Sequence, residues 1–301
     1  MQEKTAQFAR FFFVIDFFTL ENHQKTRKIF SMFSFNSNFQ LALRLLVRSR
    51  LVVIIAICTA LLAAAAWLAG QFSPRQPATV ALDVGLSLIR LGVPILALLQ
   101  IQDLVAREVE RRLVLTSLTY PHSRAIFLVA RYSAVIVAAL IVTLVLCIAL
   151  ACVVAWVNNV YAQATSVALG MPFAITGALI WLDVAVVVCF GLVLATISTT
   201  PHLVFIGGVG FMVIARAAST IIQLLEAERD LVRGADWYHQ GLQWVQWIVP
   251  DLASLDVRQI ALYGKMELLT ASPVALLLMP ISYVIVLLLI ACAIFSRRRF
   301  D

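Results

Sequence analysis

Polar positions along this chain are sparse and grouped, and the stretches between them are long and apolar. Runs at about 51–69, 80–101, 131–157, 172–197, 203–224 and 273–295 carry almost no charge. Each is long enough to cross a bilayer as a helix, because roughly 20 residues at 1.5 Å rise cover a hydrocarbon core of about 30 Å. The pattern predicts an all-α, polytopic membrane protein with six transmembrane helices. Gly70 to Pro74 ends the first run, and Ser198-Thr199-Thr200-Pro201-His202 marks a sharp corner between the fourth and fifth.

Between the second and third runs lies a charged island, 102–131. From Asp103 to Leu118 it contains neither Gly nor Pro, and Leu104, Val105, Glu108, Arg111, Arg112 and Leu115 recur at helical spacing. Thr119-Tyr120-Pro121-His122-Ser123 breaks that helix, since Pro121 lacks an N–H and pushes Tyr120 out of the helical region. Ser123 then caps a new helix that carries Arg124 and Arg131 into the third run. Helix, corner and membrane helix together make a rigid knob on which a soluble partner can push.

Before the first run, residues 36–50 set Phe39, Leu41, Leu45 and Leu46 against Arg44, Arg48 and Arg50. That is the pattern of an amphipathic helix lying in the membrane interface with its arginines at the headgroups. Residues 1–35 are expected to stand outside the transmembrane domain at 36–301. Within 1–31, an aromatic patch is broken by Arg10 and Asp16, too short and too charged to span. We read it as a dispensable extension with Met32 as the natural start, a membrane-surface anchor being the alternative. Residues 225–272 are polar and net acidic, and Trp237, Trp244 and Trp247 favour a membrane–water boundary there. A short helix at about 237–249, stopped by Pro250, is expected at the outer interface.

Composition sharpens the picture. The chain is 62% hydrophobic and 13% charged, against about 25% charged in soluble domains. The net charge is +7, but basic residues cluster beside the first run, in the island and at Arg297–Arg299. Placing all three clusters inside puts both termini in the cytoplasm under the positive-inside rule. Orientation accounts for the basic residues better than nucleic-acid binding, and no nucleic-acid partner is expected. Membrane lipids are. The cysteines (Cys58, Cys147, Cys152, Cys189 and Cys292) fall within the apolar runs without a CxxC, and are read as small buried residues rather than disulfides.

Arg90, Asp183 and Arg216 stand well inside spans, and Asp83 lies seven residues before Arg90 on a similar helical face. Each charge at mid-span costs about 2.5–3.5 kcal/mol on insertion scales, so each is expected to face protein or water. Asp183 pairing with Arg90 or Arg216 across helices is the favoured reading, with substrate or proton handling as the alternative. The glycines at 207, 208 and 210 read as close helix packing. His23, His122, His202 and His239 lie in separate segments with no HExxH, and no serine sits in a GxSxG. No catalytic residue, metal or cofactor is therefore expected, and a channel is disfavoured by the absence of a repeated polar stripe. No GxxxxGK[ST] phosphate loop occurs either.

The island, with Glu108, the apolar stretch 113–118 and Tyr120-Pro121-His122-Ser123-Arg124, resembles the loop between spans two and three of type-2 ABC (ABC-2) transporter permeases. The helix at 36–50, the count of spans, the long segment before the last span and Val249-Pro250-Asp251-Leu252 are similar to that class as well. Arg111 and Arg112 depart from it, standing where the family usually has Gly-Thr. The resemblance implies a permease subunit, not an enzyme, paired as a homodimer or heterodimer and driven by a separate cytoplasmic ATP-binding cassette subunit. It puts Glu108, Arg111, Arg112, Tyr120, Pro121 and Arg124 at or near the ATPase contact. A membrane-embedded enzyme or assembly factor working without an ATPase is the alternative function.

Overall fold

A computed structural model of the chain describes residues 35–48, 50–73, 75–110, 124–160, 167–198, 200–227, 250–265 and 273–297. Every regular element among them is helical. Helix α1 covers 35–48, and Arg50, in the left-handed region at φ 64°, turns the chain into α2, Leu51–Gln71. Then follow α3 (Pro77–Ile101), α4 (Arg124–Val160), α5 (Met171–Ile197), α6 (Pro201–Ala227), the short α7 (Arg258–Tyr263) and α8 (Pro273–Arg297). Six of these helices are long and apolar enough to cross a membrane, matching the apolar runs. The expectations for 1–34, for Arg111, Arg112, Tyr120 and Pro121, and for the helix with Trp237, Trp244 and Trp247 lie outside the described residues.

The spans are not equivalent. In its most apolar window α5 is 72% buried inside the bundle, against 17% for α2 and 22% for α8. Helix α5 is therefore the hub, and α2 and α8 expose most of their side chains at the surface. Hydrophobic burial cannot favour helix association in lipid, so close approach and polar contacts between helices hold such a bundle. Both occur. The Leu98 side chain of α3 fills the space left by Gly191 of α5 and Gly208 of α6, where added Cβ atoms would stand 2.7 and 2.6 Å from Leu98 Cδ2. Gly207 sits as closely on Leu194, but Gly210 faces open space, so only part of the glycine run serves packing. Tyr132 of α4 donates its hydroxyl to the Ala185 carbonyl at 3.0 Å, and Trp181 Nε1 donates to the Ile136 carbonyl at 3.1 Å.

Helix α3 does not stop at the end of its apolar run. It continues through a π turn, Gln102–Ala106, in which the Arg107 N–H reaches back to the Gln102 carbonyl, and one further α-turn, Arg107–Glu110. The extra residue of a π turn rotates the next helical turn by about 100°. Leu104, Val105 and Ala106 thereby stay buried while Glu108 turns toward α4. Helix α4 has 37 residues, about 55 Å at 1.5 Å each, so it outruns the hydrocarbon core unless tilted.

The segment 250–265 departs most from a plain polar connection. Leu252, Leu255, Ile260 and Ala261 are buried, which draws this stretch into the bundle against α3, α5 and α6. Gly264 takes the left-handed conformation (φ 67°) that ends α7, and its N–H returns to the Ile260 carbonyl at 2.9 Å. The cysteines are free as expected, but Cys152 is exposed and Cys58 and Cys292 half-buried, correcting the expectation of burial for these three. They lie on helix faces that neighbours cover only in part or, at Cys152, leave open, and periodicity in an all-apolar run cannot say which faces those are.

Leu98→Ala should lower stability in mild detergent by about 2–5 kcal/mol, the usual cost of a cavity at a well-packed leucine. Leu278→Ala, at a side chain 65% exposed on α8, should shift the unfolding midpoint little.

Candidate functional site

The intramembrane charges expected to meet do meet, and they recruit others. Asp183, fully buried near the middle of α5, accepts a hydrogen bond from Arg216 Nη2 of α6 and lies 3.9 Å from Arg90 Nε of α3. The choice between Arg90 and Arg216 thus resolves to both. Arg90 is also ion-paired with Asp256, and Asp256 holds Arg258 through Nε at 2.8 Å and Nη2 at 2.9 Å. Arg258 closes back on α3 through Asp83 at 3.2 Å and Ser87 Oγ. The order Asp83, Arg258, Asp256, Arg90, Asp183, Arg216 alternates three carboxylates with three guanidiniums, so the set is electrically neutral.

Neutrality and alternation explain how such a set survives in a low-dielectric bundle. An isolated buried charge costs many kcal/mol, and mutual attraction offsets that only with good geometry and further hydrogen bonds. Those are supplied by backbone. Arg90 Nη2 donates to the Leu252 carbonyl at 2.8 Å, and Arg216 Nη2 donates to the Arg90 carbonyl at 2.8 Å. The Leu252 N–H in turn donates to the Ala215 carbonyl at 3.3 Å, fastening the segment to α6. Satisfaction is incomplete, since Asp183 Oδ1 and Arg216 Nε are buried without a hydrogen-bond partner.

Non-helical backbone deep in a membrane protein persists only where protein or a water-filled cavity satisfies it. Here Asp251 does part of this: its Oδ1 accepts the N–H groups of Ala253 (3.1 Å) and Ser254 (3.3 Å). Burial raises the Asp256 carboxyl, but the hydrogen bonds from Arg258 and the charges of Arg90 and Arg258 outweigh it and hold the group below its ordinary range. Arg258 is pushed upward by its hydrogen bond to Asp256, against the opposing effect of burial.

A second polar contact sits where α3 leaves its apolar run. Glu108 accepts from Arg131 Nη2 of α4 at 3.0 Å, and Arg131 is only 1% exposed. The Arg131 guanidinium lies 5.0 Å from the ring centroid of Phe127, which stacks on Phe295 of α8 at 6.2 Å. Arg124 Nη1 donates to the Ser296 carbonyl at 3.2 Å. One line of contacts thus ties the end of α3 to the start of α4 and the end of α8. Burial raises the Glu108 carboxyl more than Arg131 lowers it. Arg131 and Arg124, which read as topology anchors, are therefore also structural ties, and Glu108 spends its carboxylate inside the chain.

Sequence reasoning found Arg90, Asp183, Arg216 and Glu108 but missed Asp83, Asp256 and Arg258 as members of the network. Asp83 precedes Arg90 by two helical turns, so a shared partner was legible in principle. Nothing in a polar segment such as 250–265 signals that it folds back into the bundle. Among the described residues no group of three His, Cys, Asp or Glu is placed to hold a metal. Comparison with known proteins finds no family model that matches the chain and no curated protein that matches it.

Asp183→Asn should destabilise the protein by about 3–5 kcal/mol, the usual cost of removing one partner of a buried pair. Adding Arg216→Gln should recover part of that loss in the same detergent unfolding assay. A double variant that regains stability but not activity would give the pair a role beyond structure. Because folding lowers the Asp256 value, its stabilising contribution is present above the unfolded value of about 3.9 and fades as pH falls through the lower folded value. Asp256→Asn should be less stable at neutral pH and should lack this acid-side decline in unfolding midpoints.

Proposed function

We propose that the chain is the membrane subunit of an ATP-driven exporter of the ABC-2 class, working in the inner membrane of a bacterium. Two permease chains would pair and sit on separate ATP-binding subunits in the cytoplasm. The reading rests on the island's likeness to the loop that receives the ATPase in that class. One structural observation carries it further: the island grows directly from α3, and Glu108 and Arg131 bind its base to α4.

A force applied to residues beyond Glu110 would reach two spans through a buried ion pair, and a third through Phe127 and Phe295. Rigid connection of this kind is what converts closure of a soluble partner into tilting of helices. In this scheme Arg111, Arg112, Tyr120, Pro121 and Arg124 meet the ATPase, while Glu108 anchors the lever. The network of Asp183 locks the opposite part of the bundle and is the element whose rearrangement would accompany opening. Apolar span surfaces suit a lipidic or amphipathic cargo.

Purified in mild detergent, the intact protein should bring an ATP-binding subunit with it. Replacing residues 111–123 by a Gly-Ser linker should abolish that association while leaving the unfolding midpoint near wild type. With the five native cysteines replaced, Ser117→Cys should react with a membrane-impermeant maleimide only from the cytoplasmic side. Labelling from outside, or an intact protein that never retains an ATPase, would favour the enzyme or assembly-factor alternative.

A further inference from the structure

The π turn at Gln102–Ala106 has no local cause. From Gln102 to Glu110 the chain contains neither Gly nor Pro, and its Leu, Ala, Arg and Glu are good α-helix formers. Asp103 and Arg107, four residues apart, form an ion pair at 3.0 Å across the turn, a spacing native to the α-helix. Single π turns are rare and concentrate at functional sites. A tertiary contact must therefore hold the wide turn in place.

That contact is Glu108 on Arg131, and it is incomplete. Arg131 Nη2 meets Glu108 Oε1 at 3.0 Å, while Arg131 Nε and Nη1 and Glu108 Oε2 are buried without hydrogen-bond partners. A carboxylate and a guanidinium can make two parallel hydrogen bonds, and this pair makes one. Closing the turn to an ordinary α-helix removes its lag of about 100°, so each residue beyond it takes the direction its successor now has. Arg107, now exposed, would turn onto Arg131, and Glu108 would turn away. Ala106, 5% exposed at the end of the turn, would move toward the exposed direction that Arg107 now holds. Alanine has the smallest apolar side chain to expose, so that move costs little.

We propose that the end of α3 is a two-register switch. In the π register Glu108 is latched on Arg131; in the α register the chain leaves Glu110 in a direction about 100° away. The first dominates at rest, because the second strands the buried Arg131 without a carboxylate and brings Arg107 toward it. The registers differ by one hydrogen-bond step along the same backbone, which makes the element bistable rather than continuously deformable. The switch needs neither an ATPase nor transport, so it stands even if the exporter reading fails.

Moving the carboxylate by one residue tests this. Glu108→Gln should lower the unfolding midpoint in mild detergent. Adding Arg107→Glu should restore most of the loss, since the α register returns a carboxylate to Arg131, whereas adding Arg107→Gln should restore none. Cysteine labelling reports the register directly. With the five native cysteines replaced, Ala106→Cys should react with a maleimide at about 0.1–10% of the rate at Arg107→Cys, the usual population of a minor state. With Glu108→Gln and Arg107→Glu both present, the Ala106→Cys rate should rise by about tenfold or more, the change that 1.4 kcal/mol produces. Val105→Cys should stay unreactive throughout, because rotation carries it only to the buried direction that Ala106 now has, whereas fraying would open it. Equal midpoints after adding Arg107→Glu or Arg107→Gln overturn the proposal, as does equal labelling at positions 105 and 106. The labelling comparison needs no change at Glu108 or Arg131, so it decides the matter even where the charge variants fold poorly.

Discussion

The buried carboxylate of Asp183 imposes more on this molecule than any other group. At the centre of the most enclosed helix it is shielded from bulk solvent, so it draws in Arg216 and Arg90. Two arginines around one carboxylate leave a surplus positive charge, and the structure answers with Asp256 on Arg90. That brings Arg258, and Arg258 brings Asp83. Each addition compensates the one before it until the set is neutral and its outer members approach the surface. Asp83 has half of its side chain exposed, whereas Asp183 has none. A gradient from wet to dry along one chain of alternating charges is a physically sensible way to seat a carboxylate in a membrane bundle.

That electrostatic demand also explains the path of the backbone. The segment at 250–258 would be better solvated outside the bundle were it not for what Arg90 and Asp83 offer it. Its aliphatic residues, Leu252 and Leu255, become buried, and Asp251 satisfies the turn that lets it enter. The Val249-Pro250-Asp251-Leu252 stretch is thereby understandable residue by residue in its described part. Asp251 caps the turn, and Leu252 lends its carbonyl to Arg90 and its N–H to Ala215. An Asn at position 251 would cap the same turn, since it carries a side-chain carbonyl oxygen, Oδ1, at the same distance along the side chain.

The two polar centres sit on the same helix but play different parts. Arg90 lies within the bundle, while Glu108 is 18 residues later, about 27 Å along α3 at 1.5 Å per residue. The first knits helices α3, α5 and α6 to the segment before the last span. The second knits α3, α4 and α8 where the charged island begins. A stiff α3 with a π turn near its end joins them, and Pro94 between them removes one hydrogen bond from the helix ladder. Such a helix is stiff enough to carry a displacement and has defined points at which to bend.

From the sequence alone the number and placement of the spans were determined, because the apolar length needed to cross a bilayer is a local property of consecutive residues. So was the need of Asp183 for a cationic partner, since burial of a lone carboxylate is too costly at any position in a span. Left undecided was which partner, because apolar periodicity in a helix hydrophobic on every side does not reveal the facing neighbour. Only tertiary structure brought Arg258 to Asp83, 175 residues away, or turned Glu108 onto Arg131 through a π turn with no sequence signature. Those pairings follow from long-range geometry: helices that pack through Leu98, Gly191 and Gly208 bring certain charges within reach, and desolvation then makes pairing obligatory.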